Sequence, residues 1–501
     1  MYQQKTPKGS GKSGSIVSIV DNYFQISERK STIKTELLAG LTTFMTMAYI
    51  IILNPIILSA AGMDFTMVFV GTCVAAAVAT LLMGVVAKYP FALASGMGLN
   101  SVLTYGVVIG LGLTWQTAML MIVIEGAIIT LLVLTNLREM VMDAIPKSLK
   151  LAIGAAIGLF IAYIGFMDAK IMVGNSVTLV QFGSLSNPIV IIAILTVISI
   201  AAMMALKIKG SILYGILISS VLALVLAFGA NALGFAFNVY GVQGVPATIG
   251  ALPAGTSNVP AALDVTTWLS GGVTGLIGHI VAIPSLASFG MFFGAFSQTA
   301  IQGLSIAIIP VVFAFLMVDF FDTMGTVVAV GEQGRMLDKK GKLPGLKNVL
   351  LVDSVAAMIG GAFGASSVTT YVESASGVAQ GGRTGLTAVT VALLFLAALF
   401  FVPLAYFVPM AAAAPALIIV GYLMITSIKD IAWDKIEDAL PAFLTIVGMV
   451  FTFSISKGIG FGFISYCLIK VMSGKWKDVH PLMWIVSLIF LLYFIFVSHM
   501  I

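Results

Sequence analysis

The chain has 501 residues, of which 60% are hydrophobic and only 9% are charged, with 25 Lys or Arg against 20 Asp or Glu. A soluble domain averages roughly a quarter charged residues, so this composition excludes a soluble enzyme, a nucleic-acid-binding protein and a disordered scaffold. The formal net charge of +5 does not indicate a nucleic-acid partner, because the basic residues lie in short stretches between apolar runs. We therefore predict a protein that crosses the lipid bilayer many times.

The N-terminal stretch 1–34 is polar and contains several basic residues, so we predict a disordered cytoplasmic tail. Apolar runs of about 20 residues, enough to cross a bilayer, then recur to the end of the chain. The predicted regular spans are 35–59, 66–87, 114–135, 149–167, 187–206, 211–230, 304–330, 348–366, 385–403, 409–427, 439–455, 458–472 and 482–499. Two further stretches, 89–108 and 367–383, are apolar but rich in Gly, Ser and Thr, and we predict broken segments there.

The predicted segments fall into two sets. A first repeat of about seven segments covers 35–230, an extracytoplasmic connection 231–303 and a second repeat 304–472, and a C-terminal apolar helix lies within 473–501. An odd number of spans in each repeat inverts the second repeat relative to the first. Lys and Arg concentrate in alternate loops such as 335–347, which places these loops and the N terminus on the cytoplasmic side of the plasma (inner) membrane.

The two broken segments are each the third segment of their set. Residues 89–100 and 366–377 both begin with a run that can be extended and then become rich in Gly and Ser but compatible with a helix. A half-helix that begins inside the membrane offers free N–H groups and a positive dipole end to a ligand. Glycines that serve ordinary helix packing are the alternative for either segment alone. Two such segments at corresponding positions of the two sets favour a substrate site near the midplane of the bilayer.

Acidic residues within the apolar segments are the second signal of a site. A charge at the bilayer centre costs about 2.5–3.5 kcal/mol on insertion scales, which makes each such residue a functional candidate. Asp319 and Asp322 lie three residues apart, on one face of a helix, and Glu373 lies in the second broken segment. Glu125 is a further candidate, and the alternative for it is a structural acid hydrogen-bonded between helices, so its role stays open. Asp353, close to a basic loop, is interpreted as an interfacial or helix-end residue.

Motifs for cofactors and metals are absent from the sequence. Gly11-Lys12-Ser13 follows no predicted strand, and Thr6 stands where a phosphate-binding loop needs its first glycine. The two cysteines and three histidines show no metal-ligand spacing. We therefore predict a transporter without a cofactor, without a metal site and without catalytic residues.

The chain resembles the AzgA-like branch of the nucleobase–ascorbate transporter superfamily, which consists of proton-coupled hypoxanthine, guanine and adenine permeases. The resemblance covers roughly residues 33–475. It rests on residues 34–49, the pair Asn54-Pro55, and residues 96–100, 319–325 and 366–385.

The resemblance implies an all-α polytopic membrane protein of the uracil-permease type. Its seven plus seven segments would form inverted repeats, with short strands in segments 3 and 10 and with a core and a gate domain. It implies that Asp322 and Glu373 bind the purine and couple protons, and that Asn100 and Asp319 contribute. Thr326 stands where the uracil permease has a polar residue beside its site. The implied partners are a purine nucleobase, a proton and membrane lipid; no nucleic acid is expected, and whether the chain forms a homodimer stays open.

Departures from the family pattern leave the preferred purine open. Ser95 replaces an expected proline, Ser101 replaces the usual alanine, and Gln380 replaces a common acid. The alternative is an anion or other small-solute transporter on the same fold, which requires a basic residue near the half-helices, whereas Arg383 is predicted toward the cytoplasmic end. A membrane enzyme would need a nucleophile–base pair or a metal cluster at membrane depth, and a channel would need a repeated pore segment.

Overall fold

The computed structural model describes residues 16–135, 144–232, 296–302, 308–338, 343–405 and 408–496. These residues are mostly helical and include two two-stranded sheets. Eight of the described helices are long and apolar enough to cross a membrane, and shorter apolar helices accompany them. The predicted fold class, a helical polytopic membrane protein with short strands in its broken segments, is confirmed.

The first half of the chain contains a series of long helices, one pair of short strands that form a hairpin, and a third strand within the first broken segment. In chain order the elements are α1 (Ile16–Phe24), α2 (Ile33–Met47), α3 (Ile50–Ser59), α4 (Phe65–Leu82, continued by a π turn over Met83–Ala87), β1 (Leu93–Ser95), α5 (Met97–Ser101, continued by a π helix over Val102–Ile109), α6 (Trp115–Leu134), α7 (Lys147–Asp168), β2 (Met172–Asn175), β3 (Leu179–Phe182), α8 (Pro188–Ala205) and α9 (Ser211–Ala232).

The second half repeats this order of helices around its own broken segment. The elements are α10 (Gln298–Gln302), α11 (Ile309–Gln333), α12 (Leu346–Ala362), β4 (Val368–Thr370), α13 (Ser374–Ala379), α14 (Gly385–Ala398), α15 (Val402–Ala405), α16 (Met410–Ile425), α17 (Ile436–Phe451), α18 (Ile455–Met472) and α19 (Pro481–Phe496).

The predicted spans agree closely with the helices, except that the span 35–59 consists of two helices. α2 ends at Met47 and α3 begins at Ile50, so Tyr49 lies in a break within the first segment. Pro55 lies inside α3 and has no N–H to donate to the preceding turn, which weakens a continuous helix there. The predicted connection 231–303 lies outside the described residues apart from its ends, and it stays a prediction.

The expectation of a disordered tail over 1–34 is wrong for its second part. Residues 16–24 form α1, and the Tyr23 hydroxyl donates to the carbonyl of Val85 at 3.0 Å. The Arg29 guanidinium donates to the carbonyls of Lys88 at 2.8 Å and Arg383 at 3.1 Å. The polar average of the stretch hides a short apolar periodicity that is sufficient for one helix. Residues 1–15 lie outside the described residues.

The helices form two groups that correspond to the predicted core and gate domains. The core group consists of α2 to α6 with β1, and of α11 to α14 with β4; within it α6 packs on α12, and α14 packs on both α2 and α4. The gate group consists of α7 to α9 and α16 to α19; within it α7 packs on α16 and α17, and α17 packs on α18.

Each of the seven segments of the first repeat has a counterpart at the same place in the second repeat. A contact between two segments recurs as a contact between their counterparts. α4 packs on α14, and their counterparts α12 and α6 pack on each other; α7 packs on α17, and their counterparts α16 and α8 do the same. Glycines permit the first two of these close crossings. A Cβ on Gly385 would overlap the carbonyl oxygen of Gly84, and a Cβ on Gly126 would lie 2.8 Å from the backbone nitrogen of Met358. This is the contact pattern of two inverted repeats.

Candidate functional site

The two broken segments meet at a short strand crossing inside the core group. β1 pairs with β4 in antiparallel register, with Ala94 opposite Thr369 at the centre, and every residue of both strands is buried. The backbone N–H of Gly96 extends the pairing by donating to the carbonyl of Ser367 at 2.8 Å. Irregular backbone persists at membrane depth only where protein or a cavity satisfies it. The crossing therefore fixes the relative position of the two halves at their centre.

Asp322 of α11 lies beside this crossing. The Thr369 hydroxyl at the centre of β4 donates to its carboxylate at 3.2 Å. Asp322 is partly exposed, and Gly325, one turn further along α11, has open space where a Cβ would stand. Among the described residues, no protein atom therefore fills the space next to this part of the helix that carries the carboxylate.

The exposed face of α11 extends from Asp322 only toward the C-terminal end of the helix. From Asp322 it continues through Gly325 and Ala329 to Glu332, all on one side of the helix. On the same side toward the N-terminal end of α11, Val318 is buried. The open volume beside Asp322 thus extends toward the C-terminal end of α11, where the predicted cytoplasmic loop begins.

Glu373 is placed between β4 and α13. Its side chain is partly exposed, and the hydroxyl of Tyr49 donates to its Oε1 at 2.5 Å. Tyr49 is buried in the break between α2 and α3, so the interruption of the first segment brings this hydroxyl to the second broken segment. Helix α11, which carries Asp322, packs on α13, which begins directly after Glu373. The structure therefore brings Asp322 and Glu373, the two central acids predicted from the sequence, into one site.

Tyr49 was not among the predicted site residues, and its replacement by phenylalanine tests its contact with Glu373. We expect Tyr49→Phe to lower transport at limiting solute about tenfold, because a hydrogen bond to a charged group contributes about 1.5–3 kcal/mol. Initial uptake rates, normalised to the amount of protein in the membrane, measure the effect. Tyr422→Phe, which alters an exposed tyrosine, is the matched control and leaves the rate unchanged. Equal rates for both variants would contradict the assignment.

The three other predicted binding residues lie away from the open face. Asp319 and Thr326 are on α11 but are buried. Asn100 is also buried, and its amide donates to Asn54 Oδ1 at 2.6 Å. The Asn54 amide in turn donates to the hydroxyl of Ser95 at 3.1 Å. Asn100 therefore belongs to a buried network behind β1, and the substrate roles of Asn100, Asp319 and Thr326 stay predictions.

Asp353 is not the interfacial residue that the sequence indicated. α12 begins at Leu346, so Asp353 lies two turns inside the helix and is fully buried. Its carboxylate accepts hydrogen bonds from the Thr323 hydroxyl at 2.6 Å, the Thr370 N–H at 3.0 Å and the Thr370 hydroxyl at 2.8 Å. One side chain thus ties α11, α12 and β4 together directly beside Asp322.

Removing the Asp353 carboxylate should therefore weaken the packing of α11, α12 and β4 beside Asp322. We expect Asp353→Ala to destabilise the folded protein by about 3 kcal/mol, because it leaves three buried donors without their acceptor. Thermal unfolding of the purified protein in detergent measures the loss, and Asp353→Asn, which keeps part of the acceptor capacity, is expected to lose less. An unchanged unfolding temperature for Asp353→Ala would refute the structural role.

The basic residue that an anion site would use is engaged elsewhere. The Arg383 guanidinium donates to the carbonyls of Val378 at 2.5 Å and Gly382 at 2.7 Å, at the end of α13. The buried carboxylate of Glu36 accepts from the backbone N–H groups of Arg383 at 2.9 Å and Thr384 at 3.2 Å. These contacts hold α2 against the start of α14.

A set of polar and aromatic contacts joins the core and gate groups beyond α5. The Tyr105 hydroxyl, on the extension of α5, donates to the carboxylate of Asp168 at the end of α7, at 3.0 Å. Phe453 packs against Tyr105 and Phe160, with ring centroids 6.2 Å and 5.1 Å apart. The core and gate groups thus meet where the extension of α5 approaches the end of α7.

A family model described as "Permease family" matches residues 34–461 of the sequence. The chain belongs to this permease family. The guanine/hypoxanthine permease PbuO of Bacillus subtilis is 38% identical over 471 residues, which are 93% of this chain and 98% of the relative. The adenine permease AdeP of Escherichia coli is 37% identical over 498 residues, which are 99% of this chain and 100% of the relative.

Solved structures support the fold of the permease. The transmembrane domain of the cyanobacterial bicarbonate transporter BicA superposes with a TM-score of 0.56 at 16% sequence identity, and covers 85% of this chain and 97% of that domain. Identity this low supports the fold alone. The permease is therefore a multi-pass membrane transporter and not an enzyme, as its sequence predicts.

Proposed function

We propose that the permease takes up purine nucleobases together with protons across the plasma membrane, by alternating access. The observation that carries the proposal is the pair of partly exposed carboxylates, Asp322 and Glu373, at the strand crossing beside an open volume. Two relatives, aligned over nearly the whole chain, are named for guanine and hypoxanthine or for adenine. Their names support purines as the solute class.

The chemistry of the two acids suits a purine. A purine base presents N–H groups and ring nitrogens or carbonyl groups side by side along its edge, and carboxylate oxygens accept N–H hydrogen bonds. Tyr49 holds Glu373, and Thr369 holds Asp322, so both acceptors are oriented before the solute arrives. Glu373 would bind one edge of the base while Asp322 binds it from across the cavity.

Carboxylates also provide the coupling to protons. A carboxylate that is closed off from bulk water when the site is occupied can take up a proton with the solute and release it on the other side of the membrane. One proton that moves through a membrane potential of 100 mV contributes about 2.3 kcal/mol, enough for roughly fifty-fold accumulation of the solute. We assign this role to Asp322 and Glu373.

Movement of the core group against the gate group would alternate the access. The Tyr105–Asp168 contact would close one end of the site, and the exposed face of α11 would lead to the other end. The loop that follows α11 is rich in basic residues, which supports a cytoplasmic location of the open end by the positive-inside rule. Transport then requires that the contacts of Tyr105 and Phe453 break while new contacts close the cytoplasmic end.

Uptake in cells that lack their own purine permeases tests the proposed function. We expect cells that express the permease to take up labelled hypoxanthine, guanine or adenine, and an uncoupler to abolish accumulation. A competition panel of unlabelled purines, pyrimidines and inorganic anions identifies the preferred solute. Absence of purine uptake by protein that is folded in the membrane, or accumulation that is insensitive to the uncoupler, would refute the proposal.

A further inference from the structure

Helix α1 has an apolar half that the function of the central site does not explain. With successive residues about 100° apart on a helix, one half carries the apolar side chains and the other half the polar ones. The apolar half consists of Ile16, Val17, Ile19, Val20, Tyr23 and Phe24, and the polar half of Ser18, Asp21 and Asn22.

Only part of the apolar half packs on the protein. Phe24 is buried, and the Tyr23 hydroxyl binds the carbonyl of Val85 at the end of α4. Val17 and Ile19, however, are 59% and 63% exposed. More than half of each of these two aliphatic side chains on a nine-residue helix is therefore left uncovered by the described residues.

The exposed apolar side chains continue the surface of the first membrane segment. α1 is joined to α2 by a short turn, and at the start of α2 the side chains of Leu37, Leu38 and Leu41 are exposed. Leucines exposed on a membrane-spanning helix face lipid. α1 thus precedes the exposed apolar start of the first membrane segment, the position in which an amphipathic helix can bind the boundary between headgroups and acyl chains.

The turn between α1 and α2 has a fixed geometry. The Asp21 carboxylate accepts hydrogen bonds from the Ser27 N–H at 2.8 Å and from the Ser27 hydroxyl at 2.6 Å. These hydrogen bonds, first the one from the Ser27 hydroxyl, lower the pKa of Asp21 below its ordinary value because they stabilise the ionised carboxylate. The Asp21–Ser27 hydrogen bonds therefore fix the end of α1 to the turn that follows it.

The charges around α1 are predominantly basic. Arg29, Lys30 and Lys34 follow the helix, and Lys88 lies 4.4 Å from the centre of the Tyr23 ring. Against these stand the acids Asp21, which is engaged with Ser27, and Glu28. Basic residues at the membrane surface each gain about 1 kcal/mol from anionic headgroups. The charge is complementary to an anionic lipid surface.

We propose that α1 lies in the headgroup region of an anionic bilayer, with Val17 and Ile19 among the acyl chains and the exposed Lys30 and Lys34 against the headgroups. The same segment binds the carbonyls of Val85, Lys88 and Arg383. These carbonyls lie at the end of α4 and directly before α14 in the core group. α1 therefore ties the core group to the membrane surface, and this binding does not depend on which solute is transported.

An environment-sensitive dye at single cysteines in the full chain tests this proposal. Val17→Cys places the dye on the apolar half, and Asn22→Cys, also exposed, places it about 140° away on the polar half. The native Cys73 and Cys467 are buried and serve as the unlabelled background. The labelled protein is reconstituted in vesicles of phosphatidylcholine, alone or mixed with phosphatidylglycerol, with nitroxide-labelled lipid or aqueous iodide as the quencher.

We expect the dye at position 17 to emit further to the blue than the dye at position 22. Nitroxide lipid should quench the dye at position 17, and the bilayer should shield this dye from quenching by aqueous iodide. Both effects should grow when phosphatidylglycerol is added. The dye at position 22 should show the reverse pattern. Iodide quenching equal at the two positions would overturn the proposal, as would protection from both quenchers, which would indicate protein cover. Indifference to phosphatidylglycerol would overturn the assignment of an anionic surface.

Discussion

Replacing Glu373 with glutamine is expected to lower purine uptake about a hundredfold while the protein remains folded in the membrane. Glutamine keeps the size of the side chain but loses one acceptor oxygen and the charge that receives the Tyr49 hydroxyl at 2.5 Å. A hydrogen bond to a charged group contributes about 1.5–3 kcal/mol, and losing such a bond both to the solute and to Tyr49 accounts for the expected loss. Initial uptake rates of labelled purine measure it.

The control for this substitution is Asp478→Asn, which neutralises an exposed acid in the short turn before α19. It should leave uptake at the level of the unmodified protein. If Glu373→Gln kept the full rate, Glu373 would not bind the solute, and the site would have to be reassigned.

Replacing Asp322 with asparagine is expected to separate transport from accumulation. Asparagine can still hydrogen-bond a base across the cavity but cannot take up and release a proton. We expect labelled purine to equilibrate across the membrane without rising above the external concentration, whereas the unmodified permease accumulates it up to roughly fifty-fold at 100 mV. The rate of the variant should also lose its dependence on external pH.

Thr369→Val is the matched control, because it removes the hydroxyl that donates to Asp322 but keeps the carboxylate. This variant should bind purine more weakly and still accumulate it. Accumulation by Asp322→Asn at the level of Thr369→Val would show that the proton is carried elsewhere.

Much of the architecture could be predicted from the sequence, because bilayer thickness and the need to satisfy backbone hydrogen bonds leave few ways for a chain to cross a membrane. Apolar runs of spanning length gave the positions of the regular helices, and the Gly- and Ser-rich stretches gave the two segments that form β1 and β4. Asp322 and Glu373 could be identified because a charged side chain at membrane depth is energetically costly and is therefore a candidate for function.

The partners of these acids could not be predicted, because they depend on contacts between distant segments. Tyr49 lies in a continuous apolar run, and nothing local shows that the helix breaks there and brings the hydroxyl to Glu373. Asp353 is close in sequence to basic residues, but the start of α12 at Leu346 places it deep in the core. Asn100 carries the expected motif, yet its amide is directed to Asn54.

Helix α1, within the stretch 1–34, could not be predicted from the sequence for a different reason. Its average composition is polar, and the nine residues of α1 are too few to stand out in a spanning-length window. Its contacts to Lys88 and Arg383 join residues far apart in the chain. Short interfacial helices become recognisable only when the periodicity of a few residues is combined with the surface on which they lie.

The most direct test of the central claim is purine accumulation by the purified permease in liposomes with an imposed proton gradient. We predict that labelled hypoxanthine, guanine or adenine rises inside above its external concentration when the outside is more acidic, and that the gain disappears with Asp322→Asn. Equal internal and external concentrations for the unmodified permease under the same gradient would contradict proton-coupled transport at the Asp322–Glu373 site.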